Sequence, residues 1–339
     1  MKKLYILILS LLLTLSFVGC NTDSLSEYKK AVEKTEEVTK GQSSGEFNVL
    51  MEFNTHGMSS EEIRKLNYFK ETKGSFNISF DDEAEKAIFK YYLNFGGLGF
   101  DFDMYINGDE IFMKLPILGK YMNINEVQNS TNSEQDIDVE QELISSESIE
   151  NITEKWLGLM KKDDVFKGKD IIITTPDGEV KTKEYNIKLN DEQIKTLVVD
   201  VLDILSKDIK LKQFYEESIK NNAEVLDEKT YEEIFSSIKE NINKFKVDSF
   251  NYTAFVDIDG YIINEIFEMN LSVVNPENEG LVSADYKLEL NNWDLNKEQN
   301  FNFPIFNDDN TLNINDMEDM DDMESNMPFI IEDMFKNNN

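Results

Sequence analysis

Apolar positions follow two rhythms along the chain. In residues 246–258 (KVDSFNYTAFVDI), 261–274 (YIINEIFEMNLSVV) and 283–294 (SADYKLELNNWD) they largely alternate with polar ones, as in strands with one buried face. Asp259-Gly260 and Asn275-Pro276 punctuate these runs, so the block predicts an antiparallel meander over 246–294. A second meander is predicted over 46–125. Its strands are 46–54, 74–82, the aromatic-rich 87–95, 100–107 and 110–116. In 100–107, Phe100, Phe102, Met104 and Ile106 share one face and Asp101, Asp103 and Tyr105 the other, before a turn at Asn107-Gly108-Asp109.

The second rhythm is helical. Residues 24–40 lack Pro and Gly and carry a sparse apolar stripe of Leu25, Tyr28, Val32 and Val38. Residues 41–45 (GQSSG) read as a loop. A helix over 148–162 carries Trp156, Leu157 and Met160, and three more are predicted over 191–205, 207–221 and 229–243. The first of those three starts at Asn190-Asp191-Glu192, with acid in its opening turn. Between the helices lies a hairpin, 169–175 and 181–189 around Pro176-Asp177-Gly178. Residues 126–147 are a polar, acidic connection whose later part is helical. No βαβ alternation occurs, so the expected class is α+β with one largely antiparallel sheet curled around helices.

The longest apolar run lies at the start. Lys2 and Lys3 precede an apolar stretch from Leu4 to Val18, followed by Gly19 and by Cys20, the one cysteine in 339 residues. That order is an export signal, too short for a confident membrane span. Phe17-Val18-Gly19-Cys20 resembles a bacterial lipobox, with Phe17 where Leu is usual. The resemblance implies cleavage between Gly19 and Cys20 and attachment of diacylglycerol to the Cys20 thiol. Two or three acyl chains then anchor the chain stably on the outer face of the cell membrane. With its one thiol so used, the chain has no disulfide to form.

The lipobox, the leading helix, and the phrases MYINGDEIFMKLPILGKYMNIN (104–125) and VDIDGYIINEIFEMNLSV (256–273) together resemble Gram-positive lipoproteins of the LolA/LppX-like half-barrel type. Over 24–305 the resemblance implies a strongly curved, largely antiparallel sheet with helices packed on its concave side, enclosing space for acyl chains. The expected division is a signal peptide at 1–19, a lipidated tether and first helix at 20–45, a half-barrel at 46–305 and an acidic Met-rich tail at 306–339. Within the half-barrel, the helices and inserted hairpin occupy 139–245.

Charge narrows the partners. A formal net charge of −33 repels nucleic acid and anionic headgroups at long range, and favours cations and basic partners. Enzymatic function is not expected. His56 is the sole histidine, there is no G-x-S-x-G elbow, and carboxylate pairs such as Glu61-Glu62 and Asp321-Asp322 are too common to nominate a site. Zinc sites built from several His or Cys are impossible, and no cofactor motif is present. The glycine-rich 94–100 (NFGGLGF) leads into a strand rather than a helix, so it is a hairpin turn and no phosphate cradle. Asp257, Asp259 and Glu268 fit positions of a calcium loop, but Ile262 stands where that loop needs Gly, and a hairpin is expected.

The tail repeats methionine at Met317, Met320, Met323 and Met327 among acids. That spacing describes an amphipathic segment docking a groove or an envelope protein; thioether binding of Cu(I) is the sharper and weaker alternative. The leading expectation is therefore a membrane-anchored lipoprotein binding or carrying an apolar, lipid-like ligand. Its competitor is a non-enzymatic envelope protein that docks a partner through the tail.

Overall fold

The structure, a computed structural model, describes residues 23–114, 119–124, 144–221, 230–274 and 280–312. Their strands form one twelve-stranded sheet in the order β12-β6-β5-β4-β3-β2-β1-β11-β10-β9-β8-β7. The strands are β1 (Lys40–Asn54), β2 (Glu71–Asp81), β3 (Lys86–Phe95), β4 (Leu98–Asn107), β5 (Glu110–Lys114) and β6 (Tyr121–Asn123), then β7 (Val165–Thr175), β8 (Gly178–Ile187), β9 (Phe245–Val256), β10 (Ile262–Val273), β11 (Gly280–Trp293) and β12 (Thr311–Leu312). Every neighbouring pair is antiparallel except β12 and β6, which run parallel. The sheet is curved and open, and with its helices makes an α+β half-barrel. Bulges at Glu52/Phe53, at Ile262/Asn264 and at Asn270/Leu271 add local bend and twist.

Among the described residues the α-helices are α1 (Ser24–Glu36), α2 (Ser60–Phe69), α3 (Ser146–Leu159), α4 (Asp191–Leu205), α5 (Ile209–Asn221) and α6 (Tyr231–Asn241). Side-chain caps set several of their starts: Asp23 for α1, Ser59 with Glu62 for α2, Asn190 with Gln193 for α4 and Thr230 with Glu233 for α6. Helix α1 packs against β7 and β10, α4 against β9, and α3 against α4. The buried core gathers there. Tyr28 and Ala31 of α1 meet Tyr185, Ile187, Phe250, Ala254 and Val256 of the sheet, with Met160 and Ile194 beside them.

Strand β1 joins the two predicted meanders, pairing with β2 on one side and β11 on the other. This corrects the loop expected at 41–45. Gly41 to Gly45 carry no apolar alternation, yet they are hydrogen-bonded into the centre of the sheet, and Ser43 Oγ bonds Asn292 Oδ1 at 2.6 Å. The expected helix over 24–40 ends at Glu36, since the chain turns there to enter β1. Helix α2 was not expected. It follows the turn holding His56, which is exposed and whose amide donates to Asn54 Oδ1 at 3.1 Å.

The last described stretch also belongs to the sheet rather than to a free tail. Phe306 stacks on Phe112 at 3.8 Å and meets Tyr105 and Tyr121 edge-on, and residues 311–312 add β12 beside β6. Gly19, Cys20, the turn at 275–276 and the methionines of 317–327 lie outside the described residues.

Candidate functional site

In an antiparallel sheet, residues directly opposite each other share a face, so the register traces the concave wall row by row. One row runs Tyr185, Ala254, Glu265, Leu290, Gly45, Phe76, Tyr91, Phe102 from β8 to β4. The next runs Ile187, Tyr252, Phe267, Leu288, Phe47, Gly74, Leu93, Phe100. Together they form an apolar and aromatic wall across eight strands, with Glu265 its single charged residue.

The two ends of this wall differ in cover. At the β8 end Tyr185 is 2 % exposed and Ala254 0 %, sealed by α1 and its neighbours. At the other end Tyr91 and Phe102 are 40 % and 37 % exposed. Tyr91 and Phe102 are paired on adjacent strands, so apolar surface stays uncovered at this end of the wall.

Glu265 sits between the two ends. Three hydrogen-bonded side chains lead to it in series from the sealed side. Trp156 Nε1–H donates to Tyr28 Oη at 2.9 Å, the Tyr28 and Tyr252 hydroxyls are hydrogen-bonded, and Tyr252 O–H donates to Glu265 Oε1. The rings pack edge-on, with centroids 5.5 Å apart for Trp156 and Tyr252 and 6.1 Å for Tyr28 and Tyr252. Burial pushes the Glu265 carboxyl above its ordinary value of 4.5, against the opposing pull of the Tyr252 hydrogen bond. Burial also raises the Tyr28 and Tyr252 hydroxyls, so both remain protonated donors at neutral pH. Despite this enclosure Glu265 is only half-buried by surface area.

Helix α1 clamps the closed end. Glu27 accepts from Tyr185 Oη at 2.5 Å and from Lys167 Nζ at 3.0 Å. Thr35 Oγ1 accepts from the Ile262 amide at 2.9 Å, and Lys34 lies over the Tyr261 ring at 4.2 Å. The 257–261 turn itself is a hairpin: the Tyr261 amide donates to Asp257 Oδ1 at 2.9 Å, Gly260 takes φ 92°, and Glu268 lies out on β10 beside Lys287. Gly96 and Gly97 likewise form the β3–β4 turn with positive φ. Glu61 and Glu62 stand at the start of α2, Glu62 as its capping partner.

No protein-family model matches the chain, and no curated protein matches it. Among solved structures it is similar to a β-barrel-like protein of a domain of unknown function (DUF1849) from Brucella abortus, at 10 % identity over 76 % of this chain and 100 % of that one. The TM-score is 0.18.

The sequence did not single out Glu265, Tyr252, Tyr28 or Trp156 as a group. One signal pointed there: in 261–274 the apolar phase runs Ile263, Phe267, Met269, Leu271, and Glu265 interrupts it. A charge on the buried phase of a strand marks either a satisfied core group or a binding site.

Proposed function

We propose that this chain is a lipoprotein held on the outer face of the cell membrane through Cys20, and that its half-barrel binds or carries an apolar, lipid-like ligand. The observation that supports the ligand most directly is the uneven cover of one continuous apolar wall, sealed at Tyr185 and Ala254 and exposed at Tyr91 and Phe102. The exposed half presents Phe76, Phe89 and Tyr91 with ring contacts near 6 Å and Phe102 opposite Tyr91, a surface suited to acyl chains. The resemblance of the 104–125 and 256–273 phrases to LolA/LppX-like half-barrels supports the same reading, as does the lipobox-like 17–20.

Titration of the chain, freed of its signal and carrying Cys20→Ser, with a fluorescent long-chain fatty probe tests this. Saturable binding is expected, and Phe102→Asp is expected to weaken it about tenfold or more, because a charge on the wall opposes burial of the chain. Absence of saturable binding, or binding unchanged by Phe102→Asp, counts against the reading. The alternative, partner docking through the Met-rich tail, is separated by truncation after Leu312. That site leaves Phe306 and β12 in place. Loss of a partner with unchanged probe binding would favour docking.

A further inference from the structure

The proposed apolar ligand needs an orientation, and the wall holds one group able to give it. We propose that Glu265 receives the cationic head of that ligand, so that the site selects amphiphiles bearing an ammonium group over neutral or anionic ones of the same chain. The inference rests on the ligand-binding reading above and goes beyond it by naming the head-group chemistry.

Three observations support it. Glu265 Oε1 accepts from Tyr252, while among the described residues no hydrogen bond or ion pair is made to Oε2. Among the described residues no cation compensates the carboxylate, and leaving such a group half-paired in an apolar wall costs free energy that a bound ammonium would recover. Second, the groups beside it are aromatic. Tyr252 donates to the carboxylate, Tyr28 and Trp156 pack edge-on against Tyr252, and Phe267 is the next residue on the same face of β10; aromatic rings near a carboxylate suit ammonium binding. Third, Glu265 keeps accessible surface in the fold and faces the small side chain of Ala254 on β9. The Tyr252 hydroxyl, itself hydrogen-bonded to Tyr28, donates to the carboxylate and holds it in one orientation without neutralising it.

The chain as a whole is acidic, so a cation would be attracted without any site; about 0.5 M salt screens exposed charges within a few ångströms and leaves an enclosed pair largely intact. In that salt, decylamine, decanol and decanoate are compared by isothermal titration against the chain carrying Cys20→Ser. Decylamine is expected to bind at least tenfold more tightly than decanol, and decanoate most weakly. Glu265→Gln is expected to bring decylamine down to the level of decanol. Equal binding of amine and alcohol, or preference for decanoate, overturns the assignment while leaving an apolar ligand site standing; failure of all three to bind removes the site itself. A crystal structure of the complex with the Glu265 carboxyl intact, showing the nitrogen within hydrogen-bond reach of Oε2, supports the assignment independently of the variant, and a nitrogen placed elsewhere overturns it.

Discussion

The ring of Phe76 lies over Gly45, its cross-strand partner, so closely that a Cβ at Gly45 would stand 2.4 Å from Phe76 Cε1. The neighbouring pair reverses the arrangement, with Phe47 over Gly74 at 2.3 Å from the equivalent Cβ. Two rings thus fill the space that two glycines leave, where the halves of the sheet meet at β1. Gly45 does not need its freedom of φ here; the requirement is steric. Gly45→Ala is expected to cost about 1–3 kcal/mol through overpacking, read as a lowered urea midpoint. In combination with Phe76→Leu the loss should be smaller than the sum of the two singles, since both changes act on one contact.

Asp208 ties two helices together. Its buried carboxylate accepts from the Ser145 amide at 2.9 Å and hydroxyl at 2.6 Å, before α3, and from the Leu211 amide at 2.9 Å in α5. Burial alone would raise its pKa, but the hydrogen bonds from Ser145, Ser148 and Leu211 outweigh that and hold it well below the ordinary 3.8. A carboxyl depressed in the folded state stabilises it fully above the unfolded value and loses that contribution as pH falls below about 3.8. Asp208→Ala should therefore cost about 2–3 kcal/mol at pH 7, and the gap to the parent should close on acidification, as followed by circular dichroism.

Tyr28 is fully buried and stands between Trp156 and Tyr252. Tyr28→Phe removes the acceptor for the indole N–H and the hydroxyl bonded to Tyr252 in the series leading to Glu265. A loss of about 1–3 kcal/mol is expected, measured by thermal unfolding. In a Trp293→Phe background, the emission of Trp156 should shift in the same variant.

Attachment at Cys20 predicts that Cys20→Ser moves the chain from the membrane fraction to the soluble fraction, and that labelling with an alkynyl fatty acid disappears with it. Retention of the label in that variant would place the lipid elsewhere or deny it.

Most of the sheet was legible because its code is local. Asp259-Gly260, Asn107-Gly108 and Gly96-Gly97 set hairpins between alternating strands, and α4 begins and ends at the residues its cap and periodicity imply. Strand β1 was half hidden. Its first part, KGQSSG, is defined by backbone pairing on both sides and by rings donated from Phe76, neither of which leaves an apolar pattern in the strand itself. Helix α2 announced itself only through Ser59 and Glu62, and the parallel pairing of β12 with β6 has no local signal at all. The candidate site was the least legible part. Tyr28, Trp156, Tyr252 and Glu265 come from α1, α3, β9 and β10, and only the closed fold brings them together. Among 67 acidic residues, Glu265 stood out solely by its phase on β10.

Native mass spectrometry of the chain purified without detergent, with Cys20→Ser to remove its own anchor, tests the central claim most directly. A population carrying one extra apolar mass, released by organic extraction and reduced by Phe102→Asp, is the predicted result. A single bare mass, unchanged after incubation with lipid vesicles, would contradict a ligand-holding half-barrel.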